Sequence, residues 1–232
     1  MSKTIIETQQ PTGGGETLAS MVYHKLLEDI LKGELEPGRK LRLQALKDQY
    51  EVGNSPLREA LNRLSANGMV IREENRGFRV SSASSKELME LVRTRCWLEE
   101  IALRESIRLG DESWEEQVVL AYYRLARAPR PTDEESFNAN TAWEAFHRQY
   151  HLALISACNS SLLLDYCAQL QEKTLRYRNL TAVVAYRERH ENDEHQAIRD
   201  AVLDRDADRA VESLTAHFNV TADVVISSGA LT

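Results

Sequence analysis

From Thr17 onward, apolar residues recur at spacings of three and four: Leu18, Met21, Val22, Leu26, Ile30 and Leu31, with Gly33 as a stop. Pro37 and Gly38 mark a turn, and Leu43, Leu46 and Tyr50 define a short second helix over 42–50. Ser55 reads as the N-cap of a third helix, with Pro56 in the first helical position, where a missing N–H is no loss. Leu57, Ala60, Leu61 and Leu64 share one face of that helix, which ends near Gly68. The period then falls to two. Residues 69–72 and 77–80 read as short strands around the polar turn 73–76.

Three helices and a hairpin, in that order, predict a winged helix-turn-helix over 16–82. The preceding segment 1–15 is aperiodic, ends in three glycines and reads as a mobile tail. Behind the hairpin, Ser81–Ser85 is a small-residue linker in which Ser84 and Glu87 form a capping box. No strand pattern follows. Helices are predicted over 85–109, 112–127, 141–157, 160–180, 187–204 and 207–226, with a loop at 129–131 and Asp206 capping the last helix. The fold class is mainly α: a winged helix-turn-helix followed by an all-α bundle over 83–232.

Composition narrows the function. With 232 residues, 42% hydrophobic and 28% charged, and only 5 prolines and 10 glycines, collagen-like and disordered chains are excluded. No apolar run is long enough to span a bilayer, and the N-terminus lacks a signal-peptide layout. Cys96, Cys158 and Cys167 form no CxxC pair, so a disulfide scaffold and a thiolate zinc site are disfavoured and a reducing cytoplasm is expected. The net charge of −7 is unevenly spread. Residues 1–82 hold 12 basic and 11 acidic side chains, the remainder 17 and 25. Within 39–79 there are 9 basic and 5 acidic residues, so a local field can attract phosphate despite an acidic whole.

A helix-turn-helix sends its second helix into the major groove, N-terminal end first. Here Asn54, Ser55 and Arg58 lead: Asn54 suits adenine, Ser55 a phosphate or base edge, and Arg58 a guanine or phosphate. Lys40, Arg42, Gln44 and Lys47 surround the preceding helix, Arg63 offers a further cation, and the wing turn Asn75-Arg76-Gly77 carries a basic tip. The alternatives are a solvated basic face, helix capping by Asn54 and an ion pair at Arg58. Residues 17–80 resemble the DNA-binding domain of the GntR family of bacterial transcription regulators. The likeness rests on Gly33-x-Leu35-x-Pro37-Gly38-x-x-Leu41, on Val52-x-x-Ser55-Pro56-Leu57-Arg58-Glu59-Ala60-Leu61-x-x-Leu64, and on Gly68 and Asn75-Arg76-Gly77-Phe78-x-Val80. Family members often carry arginine at the positions of Gln44 and Asn54, so the resemblance implies a different operator.

Four of the six histidines form a pattern. His147 and His151, four apart, project from one helix face. His195 and His217 lie eleven residues before and after Asp206, so an antiparallel hairpin brings them level, about 16 Å from the turn. The four can converge on one divalent metal, Zn²⁺ or Ni²⁺ foremost, or each can be a satisfied interior or surface group. His147-Arg148-Gln149-Tyr150-His151 lacks the glutamate of a zincin, and Glu144-x-x-His147 has no second Glu-x-x-His to make a di-iron bundle. No Gly-rich phosphate loop or GxSxG elbow appears.

Residues 85–226 resemble the FCD ligand-binding domain of the FadR subfamily, through Arg95-x-x-Leu98-Glu99, Tyr150-His151 with Asn159, Glu194-His195-x-x-Ile198, and Asp206-x-x-x-Ala210 leading to His217. In metal-binding members an aspartate precedes the first of three histidines by four residues. The resemblance puts those histidines at His151, His195 and His217, and His147 at the aspartate position, replacing an anionic oxygen with a neutral nitrogen. Trp143-Glu144 and Arg176-Tyr177-Arg178 look closest to regulators of dicarboxylate or related acid catabolism. A metal with open positions beside Arg95, with Arg178 as second candidate, suits a small carboxylic acid effector. Arg95 and Glu99 can equally be a plain i,i+4 pair. The sequence thus reads as a homodimeric, cytoplasmic repressor that binds double-stranded operator DNA and responds to a small organic acid, with no enzymatic activity. The rival readings are a metal-dependent enzyme and a metal-sensing regulator.

Overall fold

The structure is a computed structural model that describes residues 17–73, 77–129, 141–185, 191–229 and 231. The tail 1–15, Asn75 and Arg76 at the wing tip, the residues after Pro129 in the predicted loop and residues 187–190 lie outside the described residues. Helix α1 (Leu18–Leu31) starts at Thr17, whose hydroxyl accepts from the Ser20 N–H at 3.2 Å. Its buried face is Ala19, Val22, Tyr23, Leu26, Leu27 and Ile30. Leu18 and Met21, read as part of the apolar stripe, are 52% and 53% exposed, because the stripe led by Ala19 leaves them on its flank.

Helix α2 (Leu43–Tyr50) closes on Glu51 in the left-handed region at φ 53°, turning the chain into α3 (Asn54–Ala66). The N-cap of α3 is Gly53 and not Ser55, so the third helix begins two residues earlier than its sequence suggests. Ser55 and Pro56 fall in the first turn, where no N–H has an intrahelical acceptor, so the proline is tolerated there as well. The hairpin strands are β2 (Val70–Glu73) and β3 (Gly77–Val80). A third strand, β1 (Lys40–Leu41), pairs with β3 and gives the antiparallel order β1-β3-β2, with Lys40 opposite Arg79 and Val70 opposite Val80. Two residues are too few to show an alternation, so β1 was not legible in the pattern. Leu26, Ile30, Leu57, Leu61, Leu64 and Phe78 fill a core that belongs to this head alone, each contributing about 1.5–3 kcal/mol by burial.

In the bundle, α4 (Ser85–Leu109) is capped by Ser84, which accepts from the Glu87 N–H at 3.2 Å. Helix α5 (Glu112–Arg127) starts at Asp111. A Cβ on Gly110 would come within 2.1 Å of the Trp114 ring, which fixes glycine at this corner. Then come α6 (Thr141–Ile155), α7 (Ser161–Ala185, longer than predicted), α8 (Glu191–Leu203) and α9 (Ala207–Ser227). Asp206 caps α9 by accepting from the Arg209 N–H. Helix α9 packs on α8, α4 and α7, while α5 packs on α6 and α8. The described residues contain no strand outside the head, so the chain is mainly α, a winged helix followed by a helical bundle. None of the described helices is long and apolar enough to cross a membrane. Helix α7 also reaches the head: Asn179 donates to the Leu31 carbonyl at 2.8 Å, and Arg176 donates to the Ser81 carbonyl.

Candidate metal centre and nucleic-acid interface

The i,i+4 spacing on α6 and the level arms of the α8–α9 hairpin bring His147, His151, His195 and His217 to one point inside the bundle. All four are buried, and one nitrogen from each lies within 4.8 Å of the others. The His195 and His217 ring centres are 4.6 Å apart, as are those of His147 and His151. Burial holds His147 and His151 well below the usual imidazole range, with Arg178 adding to the effect at His147 and His217 at His151. Neutral imidazoles keep the lone pairs that a metal needs.

The surroundings suit an ion as well. His217 donates from Nδ1 to Glu194 Oε2 at 2.8 Å, which leaves its Nε2 lone pair available; a carboxylate behind the ligand is the usual second partner of a metal-binding histidine. His147 Nε2 and His151 Nε2 are 3.2 Å apart, close enough for one ion to touch both at about 2.0–2.1 Å. His151 Nδ1 is buried with no hydrogen-bond partner. Glu191, 1% exposed, comes to 3.9 Å from His147 Nε2. Since His147 is neutral, that contact is no ion pair. The donor set therefore fits a divalent ion.

Beside the histidines is a cavity of about 10 Å³ lined by Arg95, Arg178, Gln171 and Thr174 among others, the space of roughly one water. Arg95 donates from Nε to Glu99 Oε1 at 2.8 Å, with both side chains buried, and its guanidinium lies 4.0 Å from the centre of the Phe218 ring. Burial nevertheless pushes the Glu99 carboxyl up, and Arg95 only partly offsets this. Arg178 touches the histidine group directly, donating to His147 Nδ1 at 2.9 Å and also to Glu144. This contact puts the His147 proton on Nε2, so His147 offers its Nε2 lone pair to an ion only when Arg178 releases Nδ1. The sequence ranked Arg178 behind Arg95; the structure puts Arg178 nearer the histidines. Glu144 and Glu194 entered the sequence analysis only through their motifs and Glu191 not at all, and none of the three was assigned to the site. Of these only Glu194, adjacent to His195 and level with His217 across the hairpin, left a signal that could have found it.

On the head, Asn54, Ser55 and Arg58 are exposed together on the first turn of α3. Lys40 and Arg42 are exposed beside α2. Gln44 donates to Asp48 at 3.0 Å and lies 3.5 Å from the Lys47 ammonium, so it orients that cation. Arg63 is turned away, donating to Ser20 Oγ at 3.0 Å and stacking 4.3 Å from the centre of the Tyr23 ring. Gly77 takes φ 94° where the wing re-enters β3, a conformation that other residues avoid.

Residues 18–80 match the family described as bacterial regulatory proteins, gntR family, and residues 90–220 match the FCD domain. An uncharacterized HTH-type transcriptional regulator, BphR of Paraburkholderia xenovorans (strain LB400), is 37% identical over 95% of this chain and 90% of its own. The HTH-type transcriptional repressor GlaR of Escherichia coli (strain K12) is 31% identical over 84% of this chain and 90% of its own. Among solved structures, E. coli McbR/YncC aligns with a TM-score of 0.73 at 19% identity, covering 91% of this chain and 98% of that one, a likeness of fold. The DNA-binding head, the FCD bundle and these relatives agree: the chain belongs to the gntR family of bacterial regulatory proteins and is a transcription regulator, not an enzyme.

Proposed function

We propose that this regulator is a homodimeric repressor of the FadR subfamily, cytoplasmic, whose head (16–82) reads operator DNA and whose bundle (83–232) binds a divalent metal and a small carboxylic acid. The observation that carries this reading is the buried four-histidine cluster with two arginines beside it. His147, His151, His195 and His217 hold the ion, Zn²⁺ or Ni²⁺. When bound, the ion supplies a Lewis-acidic point that attracts a carboxylate oxygen. Lys40, Arg42, Lys47 and Arg58 meet the DNA, with Asn54 and Ser55 at base edges, Arg76 and Asn75 at the wing, and Gln44 orienting Lys47. GlaR and the gluconate operon repressor of Bacillus subtilis, two relatives named as repressors, support the direction of the effect. Met89, Trp97 and Ile101, exposed along one side of α4, give a second copy an apolar face to bury.

The cavity is too small for an acid while Arg178 holds Glu144, so the effector carboxylate displaces Glu144 and takes the Arg178 fork. Arg178 sits between Arg176 and Asn179, which grip the linker and α1, so its movement is passed to the head along one helix. Coupling between acid and operator is reciprocal. Calorimetry of acetate, malonate, succinate and glutarate, with and without saturating operator, tests it. At least one acid should bind, its affinity should fall when DNA is present, and Arg178→Gln or Arg95→Ala should weaken it about tenfold or more. Arg95→Ala strands Glu99 in the core, so Arg178→Gln carries the result if that variant misfolds. Equal acid affinity in every arm overturns the switch. The small cavity favours one other reading, in which the ion alone is the signal; operator affinity that responds to metal and ignores every acid supports it.

A further inference from the structure

A second cavity, about 340 Å³, lies where the head meets the bundle, at the small end of the size range of ligand sites. The head contributes Gly68 and Met69 from the end of α3, and the bundle contributes α4 and α7. On the α7 wall stands Arg176, 3% exposed. It donates to the Ser81 carbonyl, but its Nε is buried with no hydrogen-bond partner. Among the described residues no carboxylate comes within ion-pair distance of Arg176. A guanidinium does not give up its proton, so this is a buried positive charge with no carboxylate in contact, which Glu87 offsets only through space and burial still disfavours. One turn away, the Lys173 ammonium lies 3.2 Å from where a Cβ on Gly68 would be. The α4 wall carries the opposite sign: Glu87, which the Tyr177 hydroxyl meets, and Glu90 are both exposed, and neither is within ion-pair distance of Lys173 or Arg176. Between the walls Met69 and Leu91 form an apolar floor.

Two walls of opposite charge held apart over an apolar floor select a molecule that carries both charges itself. We propose that the junction cavity binds a small zwitterion of the α-amino-acid type, with its carboxylate on Arg176 and Lys173, its ammonium on Glu87 and Glu90, and an aliphatic side chain on Met69 and Leu91. A molecule in this position touches the turn that follows the recognition helix on one side and both bundle helices on the other. It therefore ties the head to the bundle in the arrangement described, and it does so without the histidine cluster.

The test uses the full-length, metal-loaded protein, with thermal unfolding and calorimetry against single amino acids and against acetate and methylammonium as half-ligands. An aliphatic amino acid should raise the unfolding temperature and give saturable heat, and each half-ligand should bind about tenfold or more weakly. Arg176→Gln should weaken the amino acid about tenfold or more, and Glu90→Gln should weaken the amino acid while leaving acetate unchanged. His195→Ala/His217→Ala should leave this binding intact, which separates the junction from the metal centre. If Arg176→Gln does not fold, Arg176→Lys and Lys173→Gln replace it. No binding by any amino acid, wild-type affinity in the folded Arg176 variants, acetate as tight as the amino acid, or loss of binding in a histidine variant whose unfolding transition shows it folded would each overturn the proposal.

Discussion

Raising the salt from about 50 to about 200 mM weakens operator binding about 10³- to 10⁵-fold, because every cation that meets a phosphate releases condensed counterions. The exposed positions of Lys40, Arg42 and Arg58, with Lys47 beside Gln44, give one head several such contacts before the wing is added, and a dimer doubles them. Arg58, at the leading turn of α3, is the side chain best placed to read a base. Arg58→Ala costs about 1–3 kcal/mol on the cognate site and relaxes selectivity there if it does so, whereas a phosphate contact weakens all sequences alike and lowers the salt slope by about one. Arg63→Ala leaves the slope unchanged, because Arg63 is engaged with Ser20 and Tyr23 on α1. Fluorescence anisotropy of labelled operator across a salt series measures all three. Operator affinity that does not respond to salt defeats the interface.

What the sequence could and could not show follows from the range of each signal. The histidine cluster was legible because helix geometry is rigid over four residues and a hairpin with equal arms sets its own register. The same arithmetic identified Asp206 as the cap on which that register turns. Strand β1 escaped because its two residues take their conformation from β3, not from any local pattern. Gly53 displaced Ser55 as the cap of α3 because the left-handed Glu51 sets where the turn ends, and that is a tertiary matter. The partners of Arg178 were out of reach for a similar reason: Glu144 and His147 lie on another helix, 34 and 31 residues away. An i,i+4 neighbour such as Glu99 is visible in a string of letters, and a contact between α6 and α7 is not.

Removing two of the four imidazoles has the largest expected effect in the bundle. His195→Ala/His217→Ala empties the site, and metal per chain, read by plasma mass spectrometry on natively purified protein, falls from near one to near zero. An ion that binds the native state alone adds about 4 kcal/mol when its concentration is a thousand times its dissociation constant, and the variant loses that share. A chelator separates this from the packing lost with the rings: it lowers the unfolding temperature of the wild type and leaves that of the variant unmoved. Acid acts in the same direction. Burial holds His147 and His151 below the unfolded imidazole value, so the unfolded chain binds more protons, and stability falls as the pH drops below about 6.5. Glu194→Gln keeps all four ligands but replaces the anion behind His217, so it weakens the metal about 10- to 100-fold without abolishing it. His24→Ala, on the exposed side of α1, changes none of this. Equal metal in the wild type and the double variant, or an equal response of both to chelator, removes the ion from the bundle.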